Sequence, residues 1–152
     1  RQPIETLAFP TAKWDTVISS LAFHYVAAYD TLCQHIHHWL KPGGSLVFSV
    51  EHPAFTAQGI QDWHYEATGE RRHWPVDNYF DEGKREAVFL GEKVVKYHRT
   101  LTTYLNTLLG LGFILERVVE PTPSPGLLTE FPELKHELRR PMMLLISARK
   151  SS

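Results

Sequence analysis

From Asp15 onward the polar and apolar positions of the chain change rhythm in a legible order. "TVISSLAF" places Val17 and Ile18 in a short run of β-favouring residues and reads as a buried strand. In "YDTLCQHIHHWL" the apolar Leu32, Cys33, Ile36, Trp39 and Leu40 recur at helical spacing on one face, with Asp30 suited to the N-cap. Pro42 and the pair Gly43-Gly44 then stop the helix, and "SLVFSV" follows as a continuous apolar run. A strand, a helix and a buried strand make a βαβ unit, so the two strands run parallel and end on the same edge of one sheet.

A second unit opens at "HRTLTTYLNTLLGLGF". Leu101, Tyr104, Leu105, Leu108 and Leu109 repeat with helical period, and Gly110 and Gly112 close the helix. "FILERVV" and "MMLLISA" supply two more strands. Between them "EPTPSPG" reads as a stiff loop and "FPELKHEL" as a short helix. From Pro53 to about Tyr97 the texture is different. Trp63, Trp74, Tyr79 and other aromatics stand among many charges, and "REAVFLGEKVVKY" predicts a hairpin turning at Gly91. The ligand crevice of an open α/β sheet lies beyond the carboxyl ends of its strands, so Ser19–Tyr25 and Glu51–Pro53 should meet at one rim. An insertion that leaves this rim, residues 53–97, is placed to act as a lid, with Trp63 and Tyr79 as candidate substrate contacts; its aromatics serve equally well as packing for an excursion off the core.

Composition narrows the partner. With 152 residues, 43% hydrophobic and 22% charged, the chain fits one globular core. Its 16 basic and 17 acidic residues nearly cancel, which leaves no general field to gather nucleic acid and favours a small molecule. Arg71-Arg72 and Arg139-Arg140 are too short to form a nucleic-acid stripe. No apolar run approaches the roughly 20 residues needed to cross a bilayer. The single Cys33 excludes an internal disulfide and fits a reducing cytoplasm. His35, His37 and His38 invite a metal, but no Cys-x-x-Cys or His-Glu-x-x-His accompanies them, and a solvated helix face is the expectation.

Taken in order, "WDTVISSLAFHYV", "YDTLCQHIHHWLKPGGSLVFSVEHP" and "YHRTLTTYLNTLLGLGF" resemble the later part of a class I S-adenosylmethionine-dependent methyltransferase, and "NYFDEG" is similar to a stretch of some small-molecule members. The resemblance implies an α/β, Rossmann-like mixed sheet with a final antiparallel strand and the aromatic insertion after the fifth strand of the family. It also implies S-adenosyl-L-methionine as cofactor and a small-molecule methyl acceptor. The family's glycine-rich loop after a first strand has no counterpart here; Gly110-Leu111-Gly112 precedes a strand instead. By resemblance, residues 1–152 are therefore a partial domain lacking the N-terminal βα units, and alone they should bind the cofactor poorly. Ser20, Leu21 and Ala22 match positions that line the cofactor's methionine part. Ile4 and Glu5 match the stretch beside the adenine, with Pro3 where the family commonly has Asp.

Methyl transfer is an in-line displacement in which the protein aligns the partners and excludes water, and a base is needed only where the acceptor carries a proton. His24 and His52, at the ends of neighbouring strands, are the candidate bases, or each bonds backbone and tightens a turn. Phe23 or Tyr25 can present a ring to the sulfonium. Alternation points only one of them at the crevice, and Tyr25 is taken as the cofactor contact. Glu51 orients His52, holds a substrate amine or faces water. Two other readings remain: a non-catalytic module that self-associates through its uncovered sheet edge, and an α/β hydrolase using Glu51 and His52, for which no Gly-x-Ser-x-Gly elbow is present.

Overall fold

The structure, a computed structural model, describes residues 2–152. A 3-10 turn at Ile4–Thr6 leads into β1 (Trp14–Ser20), a second 3-10 turn at Phe23–Tyr25, α1 (Tyr29–Trp39) and β2 (Leu40–Glu51). The insertion holds α2 (Pro53–Thr56), the short pair β3 (His64–Tyr65) and β4 (Arg71–His73), and the hairpin β5 (Gly83–Phe89) and β6 (Glu92–His98). Then come α3 (Leu101–Gly110), β7 (Phe113–Val119), α4 (Pro125–Glu130), a 3-10 segment at Pro132–Arg139 and β8 (Met143–Lys150).

The main sheet has the order β1-β2-β8-β7. β1 and β2 are parallel, as the βαβ pattern requires, and β8 is antiparallel to both of its neighbours. The sheet is therefore mixed. Leu46, Phe48 and Val50 alternate inward along β2, opposite Ala148, Ile146 and Leu144 of β8, and α1 and α3 cover that face with Leu32, Cys33, Ile36, Tyr104 and Leu108. Tyr29 joins the two helices by donating its hydroxyl to the Tyr104 carbonyl at 3.2 Å. The opposite face is open: Ile18 is 75% exposed, and Val47 and Leu145 are also exposed. β2 thus alternates between a covered and an uncovered face, although its apolar run predicts burial on both.

Three local expectations differ from the fold. The N-cap of α1 is Ala28, not Asp30, because burying the Tyr29 ring draws that residue into the helix; Asp30 sits in the first turn, where its charge still suits the helix dipole. The helix ends at Trp39, before Pro42 and the glycines, because Leu40 is fully buried and paired with Trp14 of β1. The glycines shape a bulge in the start of β2 instead. Gly43 has φ +75°, and a Cβ on Gly44 would lie 2.9 Å from the Lys41 carbonyl oxygen and 3.1 Å from that of Asp15. The loop after β7 is also more regular than its prolines suggest, since Ser124 caps α4 by accepting from the Leu127 N–H at 3.3 Å. The hairpin turn is formed by Leu90 and Gly91, both at positive φ, which matches the twist of the paired strands.

Candidate active site

β1 ends in a sharp turn. Leu21 adopts φ +49°, in the left-handed region, and its N–H donates to the carbonyl oxygen and the hydroxyl of Ser49 on β2 at 3.0 and 3.1 Å. The turn carries Ala22–Tyr25 across the end of β2, so the two strand tips lie side by side. Phe23 goes into the core, with its ring centroid 4.9 Å from that of Phe48. Tyr25 stays part-exposed at the rim, its ring 4.4 Å from that of His24. Of the two aromatics only Tyr25 faces outward.

His24 is buried, and its Nδ1 accepts the backbone N–H of Glu51 at 3.2 Å. Burial lowers its pKa to about 4, with Lys96 and Arg99 adding to the shift and Glu51 opposing it. The ring is neutral near pH 7, and because Nδ1 is the acceptor its proton resides on Nε2. His24 also borders the cavity, with Nε2 as its remaining ring nitrogen.

Glu51 anchors a closed ring of three side chains. Its Oε1 lies 2.6 Å from Lys96 Nζ, its Oε2 accepts from Gln61 Nε2 at 2.8 Å, and Gln61 Oε1 accepts from Lys96 at 2.8 Å. Lys96 comes from β6 and Gln61 from the loop after α2, so this ring ties the insertion to the tip of β2. The Lys96 side chain is 2% exposed. A cavity of about 500 Å³ opens above this polar floor of His24, Glu51, Gln61 and Lys96. Its apolar walls are Leu21 and Tyr25 from the turn, Phe55 from α2, Val88 and Phe89 from the hairpin, and Met142 and Met143 at the start of β8.

The other sequence candidates lie elsewhere. His52 caps α2 by accepting the Ala54 N–H at 3.0 Å, and its Nε2 is 2.7 Å from Glu120; burial lowers its pKa and Glu120 opposes the shift. It does not border the cavity, and Glu51 does not orient it. The pair therefore lacks the contact a hydrolase would need. Trp63 packs at right angles to Trp74, and the Arg140 guanidinium sits over Trp74, Phe55 and Trp63 at 4.4, 4.8 and 5.3 Å. The Tyr79 hydroxyl accepts the Leu101 N–H at 3.1 Å and seats the insertion on the start of α3. Neither Trp63 nor Tyr79 lines the cavity. Ser20 ends β1, and Ala22 follows the strained Leu21. Ile4 borders a separate groove of about 150 Å³ beside Val17, Ser19 and Phe23, and Glu5 is exposed.

Sequence reasoning did not select Lys96 or Gln61. A signal for Lys96 was present: in "KVVKYH" it stands in phase with Val94 and His98, the inward positions of β6. No helix among the described residues is long and apolar enough to cross a membrane.

Comparison with known proteins adds an independent line. A profile of the family described as "Methyltransferase domain" matches residues 1–48. The crystal structure of a Listeria monocytogenes protein assigned as an S-adenosylmethionine-dependent methyltransferase is 52% identical, with TM-score 0.94 over 99% of this chain and 68% of that one. An S-adenosylmethionine-dependent methyltransferase from Mesorhizobium loti is 44% identical, with TM-score 0.90 over the same shares. An uncharacterized Haemophilus influenzae protein is 36% identical over 97% of this chain, which spans 59% of that protein.

Proposed function

The chain belongs to the S-adenosylmethionine-dependent methyltransferases, and from that premise we propose that the cavity at the tips of β1 and β2 holds a small-molecule methyl acceptor. The observation that carries this reading is the bond from the Glu51 N–H to His24 Nδ1, which fixes both strand tips as one wall of an apolar cavity with a polar floor. A volume of about 500 Å³ is in the range of small-molecule sites.

The residues at the tip of β1 fit the cationic end of the cofactor. The left-handed turn at Leu21 breaks the strand where Ser20 and Ala22 follow the family pattern, and Tyr25 keeps a part-exposed ring beside the cavity. S-adenosylmethionine, when bound, supplies an electrophilic methyl group on a sulfonium. Tyr25 attracts that charge with its ring face, while Ile4 and Glu5 lie toward the adenine side. Phe55, Val88 and Phe89 exclude water from above, so residues 53–97 act as the lid, though through other side chains than Trp63 and Tyr79. His24 directs its Nε2–H at the acceptor and orients it.

Because the chain spans 59–68% of these relatives, we infer that residues outside 1–152 complete the cofactor site. Calorimetric titration tests this. The full-length protein should bind S-adenosylmethionine, and residues 1–152 alone should bind it at least about 100-fold more weakly, a loss of roughly 3 kcal/mol. Tyr25→Leu should weaken S-adenosylmethionine about threefold to tenfold and the neutral S-adenosylhomocysteine much less. Equal loss for both ligands contradicts the role given to Tyr25, and tight binding by residues 1–152 contradicts the division of the site.

A further inference from the structure

We propose that this cavity takes its acceptor as an anion: a planar, largely apolar molecule carrying a phenolate, enolate or similar deprotonated group. The inference rests on the reading of the cavity as the acceptor site. It comes from a count of charges and donors at the floor and directly behind it. Glu51 and Lys96 neutralise each other at 2.6 Å. Behind the Tyr25 turn lies a second buried cation, Arg99, which is 6% exposed. Its guanidinium donates to the carbonyls of Val26, Ala27 and Tyr97 and faces the rings of Tyr29 and Tyr97 at 5.3 and 6.0 Å. Among the described residues no carboxylate pairs with it within 4.0 Å. One carboxylate therefore stands against two cations, and the surplus is positive.

The hydrogen-bond inventory has the same sign. Lys96 has three N–H groups and spends two, on Glu51 and Gln61. His24 keeps its Nε2–H, because Nδ1 already accepts from Glu51. Tyr25 adds a phenol at the rim. On the acceptor side, each oxygen of Glu51 already takes a donor, at 2.6 and 2.8 Å. An incoming ammonium would have to displace one of them and would lie beside Lys96, with the Arg99 charge behind it. An oxyanion meets unspent donors and a favourable field in a poorly solvated place, where such interactions are strong.

The consequence is chemical. The acceptor's O–H bond breaks on binding, its electron pair stays on oxygen and the proton leaves to solvent. The floor then makes the nucleophile by stabilising its anion, and no protein side chain has to accept the proton.

A matched trio of bicyclic probes tests the sign: 2-naphthoate, 2-naphthamide and 2-naphthylmethylammonium, titrated calorimetrically into the full-length protein near neutral pH. The anion should bind at least about tenfold tighter than the amide, equivalent to roughly 1.4 kcal/mol, and the cation weakest. Glu51→Gln, which keeps the shape and removes the negative charge, should widen that gap. Lys96→Met should narrow it. Equal binding of the three, or a preference for the cation, overturns the anion inference and leaves the acceptor cavity in place. Binding of none of them overturns both. Should Lys96→Met fail to fold, an anion preference that Glu51→Gln leaves unchanged or reduces still contradicts the proposal.

Discussion

The Nδ1 of His24 receives the backbone N–H of Glu51 across 3.2 Å, and this bond joins two chain segments 27 residues apart at the floor of the cavity. It also decides what the imidazole can do. A ring held this way is neutral, and its remaining N–H, on Nε2, can only donate.

The burial of this imidazole makes stability depend on pH. His24 titrates near 6.5 when unfolded and at about 4 in the fold, so across that interval the unfolded chain binds more protons and stability falls as pH falls. The full effect is about 3 kcal/mol. His52 and His98, also lowered chiefly by burial, act in the same direction. Urea denaturation at steps from neutral pH to pH about 4 should show this loss, and His24→Asn should flatten part of it. A stability that is level across the interval in the native sequence contradicts the neutral, bonded imidazole.

Lys96 and Glu51 should behave as one unit. Lys96→Met leaves a buried carboxylate without its cation and should cost roughly 3–5 kcal/mol. Combining it with Glu51→Gln should recover much of that loss, a coupling that a double-mutant cycle reads directly. Additive losses would mean that the ion pair does not hold the insertion to the sheet.

β1 is an edge strand, and its Ile18 lies with Val47 and Leu145 on the uncovered face. Such an edge favours pairing between copies. Light scattering on residues 1–152 should show a mass that rises with concentration, and Ile18→Lys should suppress the rise. A constant monomer mass in the unmodified chain contradicts self-association.

How much of this was written locally can be seen residue by residue. The βαβ unit was legible because Leu32, Cys33 and Ile36 keep helical period and Leu46, Phe48 and Val50 mark the next strand, so the shared rim followed from the parallel direction of the two strands. Cap and stop positions shifted because burial of Tyr29 and Leu40 outweighed the local signals of Asp30 and Gly43. The polar floor was harder. Lys96 reaches Glu51 over 45 residues, and nothing near either one announces the other. The partners of Trp63 and Tyr79, Arg140 and the start of α3, lie far along the chain and were not legible near either residue. Within the insertion it is Phe55, Val88 and Phe89 that wall the cavity, and only coordinates separate these rings and branches from their neighbours.

Filling the cavity from its most tolerant wall tests the central claim most directly. Val88 is 65% exposed on the hairpin, so Val88→Trp can add bulk over the cavity with little cost to the fold. With the full-length protein, labelled S-adenosylmethionine and a methylated phenolic acceptor as readout, this substitution should raise the acceptor KM at least about tenfold and leave S-adenosylhomocysteine affinity unchanged. Unaltered acceptor kinetics in a folded Val88→Trp protein would place the methyl acceptor somewhere other than between the tips of β1 and β2.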